Sequence, residues 1–175
     1  MNRFKLYPHQ EGALSYLLGG NGGSLFMMPR TGKTLPTLRA IEKLKSFPAL
    51  IVAPSTVLAS WYGALLQDGV DPKRIVVFDG THSATVSKLR SVLISSKYDY
   101  FIINYEKMID SNSLSIRELQ PKVLGVPNWN AIILDESYRI ASFDSNISKY
   151  IMKYPRPNNQ FRAVLTGTPI CESSL

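Results

Sequence analysis

Six short runs of apolar residues recur through the chain: Leu25 to Met28, Leu50 to Ala53, Ile75 to Phe78, Phe101 to Ile103, Ala131 to Leu134 and Ala163 to Leu165. None alternates polar with apolar. A strand that is apolar at every position buries both of its faces, which is the habit of a parallel sheet covered by helices. Between the runs, residues repeat at helical spacing: Leu35, Leu38, Ile41 and Leu44, then Val57, Leu58, Trp61 and Leu65, then Val86, Leu89 and Leu93, and late in the chain Ile147, Ile151 and Tyr154. An earlier helix opens near Pro8, carries Ala13, Leu14, Leu17 and Leu18 on its apolar face, and ends at Gly19 and Gly20. Strand and helix alternating at this pitch predict an α/β fold of right-handed βαβ units in a doubly wound sheet. The stretch from Asp110 to Trp129, with Pro121, Gly125 and Pro127, is expected to be an irregular excursion with one short helix.

In such a sheet ligands bind at the carboxyl ends of strands, and four of these strands run into polar, function-capable sequence: PRTGKT, APST, NYE and DES. A fifth runs into TGTP. The first is the most informative. Ser24 to Thr34, SLFMMPRTGKT, reads as a buried strand delivering a phosphate-cradling loop to the start of a helix. Glycine lets backbone N–H groups approach phosphate oxygens, a lysine ammonium reaches the outer phosphates, and a threonine hydroxyl can ligate magnesium. The first glycine of the usual GxxxxGK[ST] pattern is replaced by Met27, so an ordinary turn between strand and helix stays open on this stretch alone. The second anchor is AIILDE, Ala131 to Glu136, an apolar run that ends in two acids. An acid at the end of a buried strand is costly unless paired or liganding, so Asp135 facing a magnesium held by Thr34 is a coherent pairing. A helix-capping acid is the alternative for this pair.

Composition bounds the rest. With 175 residues the chain is most simply one domain. Its single cysteine, Cys171, cannot form an internal disulfide, and no Cys and His spacing suits zinc, so a reducing intracellular setting is expected. No run approaches the roughly 20 apolar residues of a membrane helix. The 20 basic and 13 acidic residues give a net charge of +7, which favours a polyanionic partner such as nucleic acid. Ser145 to Cys171 holds Lys149, Lys153, Arg156 and Arg162 with no acid, either a nucleic-acid patch or an ordinary solvated face.

The order of six segments, LYPHQEGALSYL, MPRTGKT, IVAPSTVLASW, FIINYEKM, ILDESYRI and LTGTPI, resembles the first RecA-like domain of superfamily 2 helicases. More narrowly, it is similar to the Swi/Snf-type DNA-dependent ATPases and their compact viral and bacterial relatives. The resemblance covers nearly the whole chain. It implies a three-layer RecA-like P-loop NTPase domain with a mostly parallel central sheet, spanning residues 1–175, that binds ATP and Mg2+ and couples hydrolysis to movement on nucleic acid, DNA more than RNA.

The resemblance assigns roles by position. Gln10 is the adenine-reading glutamine. Arg30, Thr31, Gly32, Lys33 and Thr34 surround the phosphates, with Lys33 on the phosphates and Thr34 on magnesium. Asp135 is the magnesium acid and Glu136 the water-polarising acid. Ser55, Thr56 and Asn104 touch the nucleic-acid backbone, while Thr166, Gly167 and Thr168 couple the two sites. Trp61 matches a family tryptophan whose spacing makes it a core residue. Pro29, Arg30, Met27 and Met28 depart from the family's loop, and Tyr138 replaces the histidine of the DEAH form.

The chain ends six residues after Pro169, so the second RecA-like domain, which supplies arginine fingers to such ATPases, is expected elsewhere in a longer protein. The expected whole is a monomer, inside the cell and associated with nucleic acid. Two other readings compete. One is a non-catalytic nucleic-acid- or protein-binding module with a degraded phosphate loop, motivated by the missing glycine and the charge. The other is a small-molecule kinase, which would place a substrate pocket and lid where TGTP stands.

Overall fold

Each predicted apolar run forms a strand: β1 Gly22–Phe26, β2 Ala49–Ala53, β3 Ile75–Phe78, β4 Tyr100–Asn104, β5 Ala131–Asp135 and β6 Phe161–Thr166. The computed structural model describes residues 4–78, 92, 97–106, 129–137 and 160–167. Among the described residues, three helices seen whole accompany the strands: α1 Pro8–Gly19, α2 Thr34–Lys43 and α3 Leu58–Gln67. The helices expected around Val86 to Leu93 and Ile147 to Tyr154 and the excursion before Trp129 lie outside the described residues, apart from Val92, which is helical and buried. No described helix is long and apolar enough to cross a membrane.

The strands form one sheet in the order β1-β6-β5-β2-β4-β3, and every pairing is parallel. Strict alternation of side chains feeds two cores. Ala49, Ile51, Ala53, Ile102, Ile133 and Leu165 join Leu17, Leu38, Ile41, Trp61 and Leu65 from α1, α2 and α3 on one face. Leu50, Val52, Ile103, Ile132 and Leu134 pack with Val92, Tyr105 and Trp129 on the other. This explains why the central strands are apolar throughout: consecutive residues of β2 point to opposite faces, and both faces are covered. Small residues on the three-helix side, Ala49, Ala53, Ala131 and Ala163, give the helices room to approach the sheet.

The edge strand differs from expectation. β1 begins three residues earlier than the apolar run and ends at Phe26, leaving Met27 and Met28 to the following loop. Gly22 and Gly23 make this possible. Gly22 has φ +120, and a Cβ there would lie 2.0 Å from the Arg162 carbonyl oxygen of the adjacent strand. Only glycine lets the backbones approach that closely. β1 lies at the edge of the sheet, and of its side chains only Leu25 is buried, while Ser24 and Phe26 are exposed.

Gly22→Ala should therefore destabilise the fold by about 2 kcal/mol or more. Gly63→Ala, inside α3 where an added Cβ meets nothing within 4 Å, should stabilise it by about 0.5 to 1 kcal/mol. Urea unfolding midpoints of the two variants check the pair, and equal shifts would contradict this account of β1.

Candidate functional site

Because every strand runs the same way, Phe26, Ala53, Asn104, Asp135 and Thr166 all finish at one edge of the sheet. There the loop Met27 to Lys33 leaves β1 and enters α2, with Lys33 as the helix N-cap and Thr34 as its first residue. Met27, which stands where the usual pattern has glycine, is not among the residues with positive φ; the left-handed conformations fall instead at Arg30, φ 63, and Gly32, φ 79. The missing glycine therefore imposes no backbone strain at Met27, whereas Arg30 holds a conformation that is unfavourable for a residue with a Cβ.

The loop is closed by its own residues. Thr31 Oγ1 donates to Met28 O at 2.7 Å, and the Thr31 amide donates to the same carbonyl at 3.3 Å. Lys33, almost wholly buried, donates from Nζ to Met27 O at 3.0 Å and to Met28 O at 3.4 Å. Phosphate binding at this loop thus requires the ammonium to exchange two carbonyls for phosphate oxygens.

Helix α1 braces the loop from outside. Gln10, at the third position of α1 and 6% exposed, accepts from the Tyr7 amide at 3.0 Å through Oε1 and donates from Nε2 to Gly32 O at 3.1 Å. A Cβ on Gly32 would stand 2.4 Å from that nitrogen. His9 adds a second strut, its Nε2 donating to Thr31 O at 3.0 Å, with its ring stacked on Tyr7 at 5.9 Å. The role of His9 was not legible in the sequence, since a lone histidine in a helix's first turn carries no distinguishing spacing.

The coupling segment touches the same loop. Met27 N donates to Thr166 O at 3.3 Å, and a Cβ on Gly167 would lie 2.8 Å from Pro29 Cγ. Pro29 is thus packed directly over Gly167. Thr168 lies outside the described residues, as do Tyr138 and the basic cluster Lys149, Lys153 and Arg156.

At the end of β5, Asp135 is mostly buried yet satisfied. Its Oδ2 accepts from Trp61 Nε1 at 2.7 Å, its Oδ1 accepts from the Glu136 amide at 3.0 Å, and its carbonyl accepts from Tyr105 Oη at 2.8 Å. Glu136 has φ 50, a left-handed conformation for a residue with a side chain, immediately after the strand. Trp61 belongs to the core as its spacing predicts, at 1% exposure, but it also carries a polar handle onto Asp135. Helical periodicity exposes the burial of an indole and not the direction of its N–H. Ser55 and Thr56 are exposed in the 3-10 turn Ser55–Val57 that leads into α3, and Asn104 ends β4.

Burial pushes the Asp135 carboxyl above the usual carboxylate range. The Trp61 and Glu136 hydrogen bonds pull it back, the Glu136 charge raises it, and the Lys33 charge lowers it. Lys33 and Asp135 therefore share one electrostatic neighbourhood. Each carboxylate oxygen carries one donor and retains a further lone-pair direction, so with the Thr34 hydroxyl it offers the hard oxygen donors that magnesium takes alongside water and phosphate.

Since the folded value for Asp135 lies above the unfolded one, near 3.9, its contribution to stability is complete below about pH 4 and declines as pH rises through the folded value. Relative to Asp135→Asn, the wild-type chain should lose stability as pH rises from about 4 through the raised folded-state value of Asp135. Chemical unfolding of both chains across that range checks the sign, and parallel pH profiles would refute it.

Comparison with known proteins identifies the family of the chain. The family described as SNF2-related domain matches residues 9–175. The human SWI/SNF-related matrix-associated actin-dependent regulator of chromatin subfamily A member 1 (Homo sapiens) is 26% identical over 174 residues, covering 94% of this chain and 16% of that protein. The ISWI chromatin-remodeling complex ATPase ISW1 of Saccharomyces cerevisiae is 30% identical over 145 residues, covering 79% of this chain and 12% of that protein. The chain thus spans only a small part of the length of these curated relatives. Among solved structures, the Sulfolobus solfataricus SWI2/SNF2 ATPase core in complex with dsDNA aligns with a TM-score of 0.74 at 24% identity, covering 95% of this chain and 33% of that one. On the family match across nearly its whole length, and with the RecA-like fold of an SWI2/SNF2 ATPase core, the chain belongs to the SNF2-related domain family.

Proposed function

We propose that this chain is the ATP-binding RecA-like domain of a DNA-dependent ATPase of the translocase or helicase type, and that a second RecA-like domain in the intact protein completes it. The observation that carries this reading is the joint placement of Lys33, at the phosphate loop, and Asp135, at the end of β5, within electrostatic reach of each other at one sheet edge. Lys33 would bind the outer phosphates. Arg30, Thr31 and Gly32 would line them, and Gln10 would read the adenine once released from Gly32 O. Thr34 and Asp135 would hold magnesium, which supplies charge neutralisation at the phosphates when bound. Glu136, in its left-handed turn, would orient and polarise the attacking water.

DNA would lie along Ser55, Thr56 and Asn104, its backbone attracted by the net charge of +7. Thr166, Gly167 and Thr168 would relay between the two sites, a role supported by the packing of Gly167 on Pro29. A finger arginine from the second domain would account for about 10³ to 10⁵ of the hydrolysis rate, so this chain alone would turn ATP over slowly. Its setting would be nucleic-acid associated, inside the cell.

One observation favours a second reading. Lys33 is already held by Met27 O and Met28 O, as would suit a module whose phosphate loop has become structural. Titration of labelled ATP with and without magnesium separates the two. The ATPase reading expects saturable, magnesium-dependent binding that weakens about 10- to 100-fold in Lys33→Ala, the equivalent of losing one charge-assisted contact. No saturable binding, with salt-sensitive DNA binding retained, would favour the module.

A further inference from the structure

Two fully buried aromatic side chains reach Asp135 from opposite faces of the sheet. Trp61 belongs to the core beneath α1, α2 and α3, and its Nε1 donates to Asp135 Oδ2 at 2.7 Å. Tyr105 belongs to the other core, and its hydroxyl donates to Asp135 O at 2.8 Å. Both are 1% exposed, so neither ring can shift without moving its surroundings.

Each aromatic also follows closely on a segment assigned to the nucleic-acid track. Trp61 sits in the first turn of α3, which continues directly from the 3-10 turn bearing Ser55 and Thr56. Tyr105 is the residue after Asn104. A displacement of either segment on gripping a phosphate backbone would reach Asp135 through a rigid ring and a single hydrogen bond. Trp61 acts on the carboxylate, and Tyr105 acts on the main chain that aims it.

We propose that Trp61 and Tyr105 are positioning residues through which nucleic acid bound at Ser55, Thr56 and Asn104 sets the orientation of the Asp135 carboxylate, and with it the affinity for magnesium. This rests on the proposed roles of Asp135 and of the Ser55, Thr56 and Asn104 segments. Neither aromatic need touch nucleotide or nucleic acid. Coupling of this kind is a ratio of affinities and is reciprocal.

The two tryptophans of the chain make the contact directly visible. Trp129 Nε1 is buried with no hydrogen-bond partner among the described residues, whereas Trp61 Nε1 faces a carboxylate. In a nitrogen–proton correlation spectrum of the protein, the Trp61 indole signal should lie downfield of that of Trp129. It should move on adding a duplex DNA oligonucleotide alone, and again on adding magnesium with a non-hydrolysable ATP analogue. A Trp61 signal indifferent to DNA would overturn the proposal without any substitution being made.

The second measurement is the magnesium concentration that half-saturates binding of a fluorescent ATP analogue, with and without the same duplex. In the wild-type protein DNA should lower it by about fivefold or more, the lower end of ordinary allosteric coupling. In Tyr105→Phe and in Trp61→Phe the ratio should fall to within about twofold of unity. Tyr105→Phe removes only a hydroxyl and serves if Trp61→Phe does not fold. A ratio near unity in the wild type, or an undiminished one in the variants, overturns the inference. Asp135→Asn with unaltered magnesium dependence would instead sink the underlying assignment of the metal carboxylate, so the two failures are distinguishable.

Discussion

Burial of both faces of a parallel sheet is the constraint on which the rest of the molecule depends. It requires the inner strands β2, β4 and β5 to be apolar along nearly all their length, and the parallel pairing sends every carboxyl end to the same edge. The consequence is spatial economy: residues as distant in sequence as Phe26, Ala53, Asn104, Asp135 and Thr166 finish along one edge because β1, β6, β5, β2 and β4 run parallel in register. Polar chemistry is tolerated there because the strand ends lie at the rim of the two cores. Asp135 marks that boundary, being buried enough to be raised in pKa and yet supplied with donors for both carboxylate oxygens.

The loop after β1 shows how local sequence is reconciled with that frame. Arg30 and Gly32 take up the left-handed turns, so the backbone reverses without a glycine at Met27. The carbonyls that the turn exposes are then satisfied by Thr31 and Lys33 from within the loop. Gln10 and His9 fasten its outer side to α1. A loop with this many internal partners is held in one conformation, and Lys33 must give up two of those partners to reach a phosphate.

Much of this architecture was legible in the sequence, because burial on two faces leaves an unbroken apolar run that helical or one-sided strands do not. The six runs gave the strands, and the polar tails gave the edge at which the site would form. Lys33 and Asp135 stand out from the residue types that follow two apolar runs, while Gln10, Thr166 and Gly167 are named only through the resemblance; the structure ties Gln10, Thr166 and Gly167 to the loop and brings Lys33 within electrostatic reach of Asp135. What could not be read was direction within the core. Trp61 reads in sequence as a core residue and Tyr105 as part of the polar tail NYE, and their hydrogen bonds to Asp135 depend on rotamers and strand order that no periodicity encodes. The start of β1 was likewise hidden, because two glycines look like a loop until a neighbouring backbone comes within contact distance.

The contact between Pro29 and Gly167 has a consequence for how this domain can vary. The proline ring occupies the volume that any side chain at position 167 would need, so the two positions cannot drift independently. A larger residue at 167 becomes admissible only after position 29 is reduced. A proline at 29 in turn fixes the rotation of the loop against the end of β6. Substitutions at these two sites are thus conditional on their order of arrival: one path passes through a tolerable intermediate and the other through a clash.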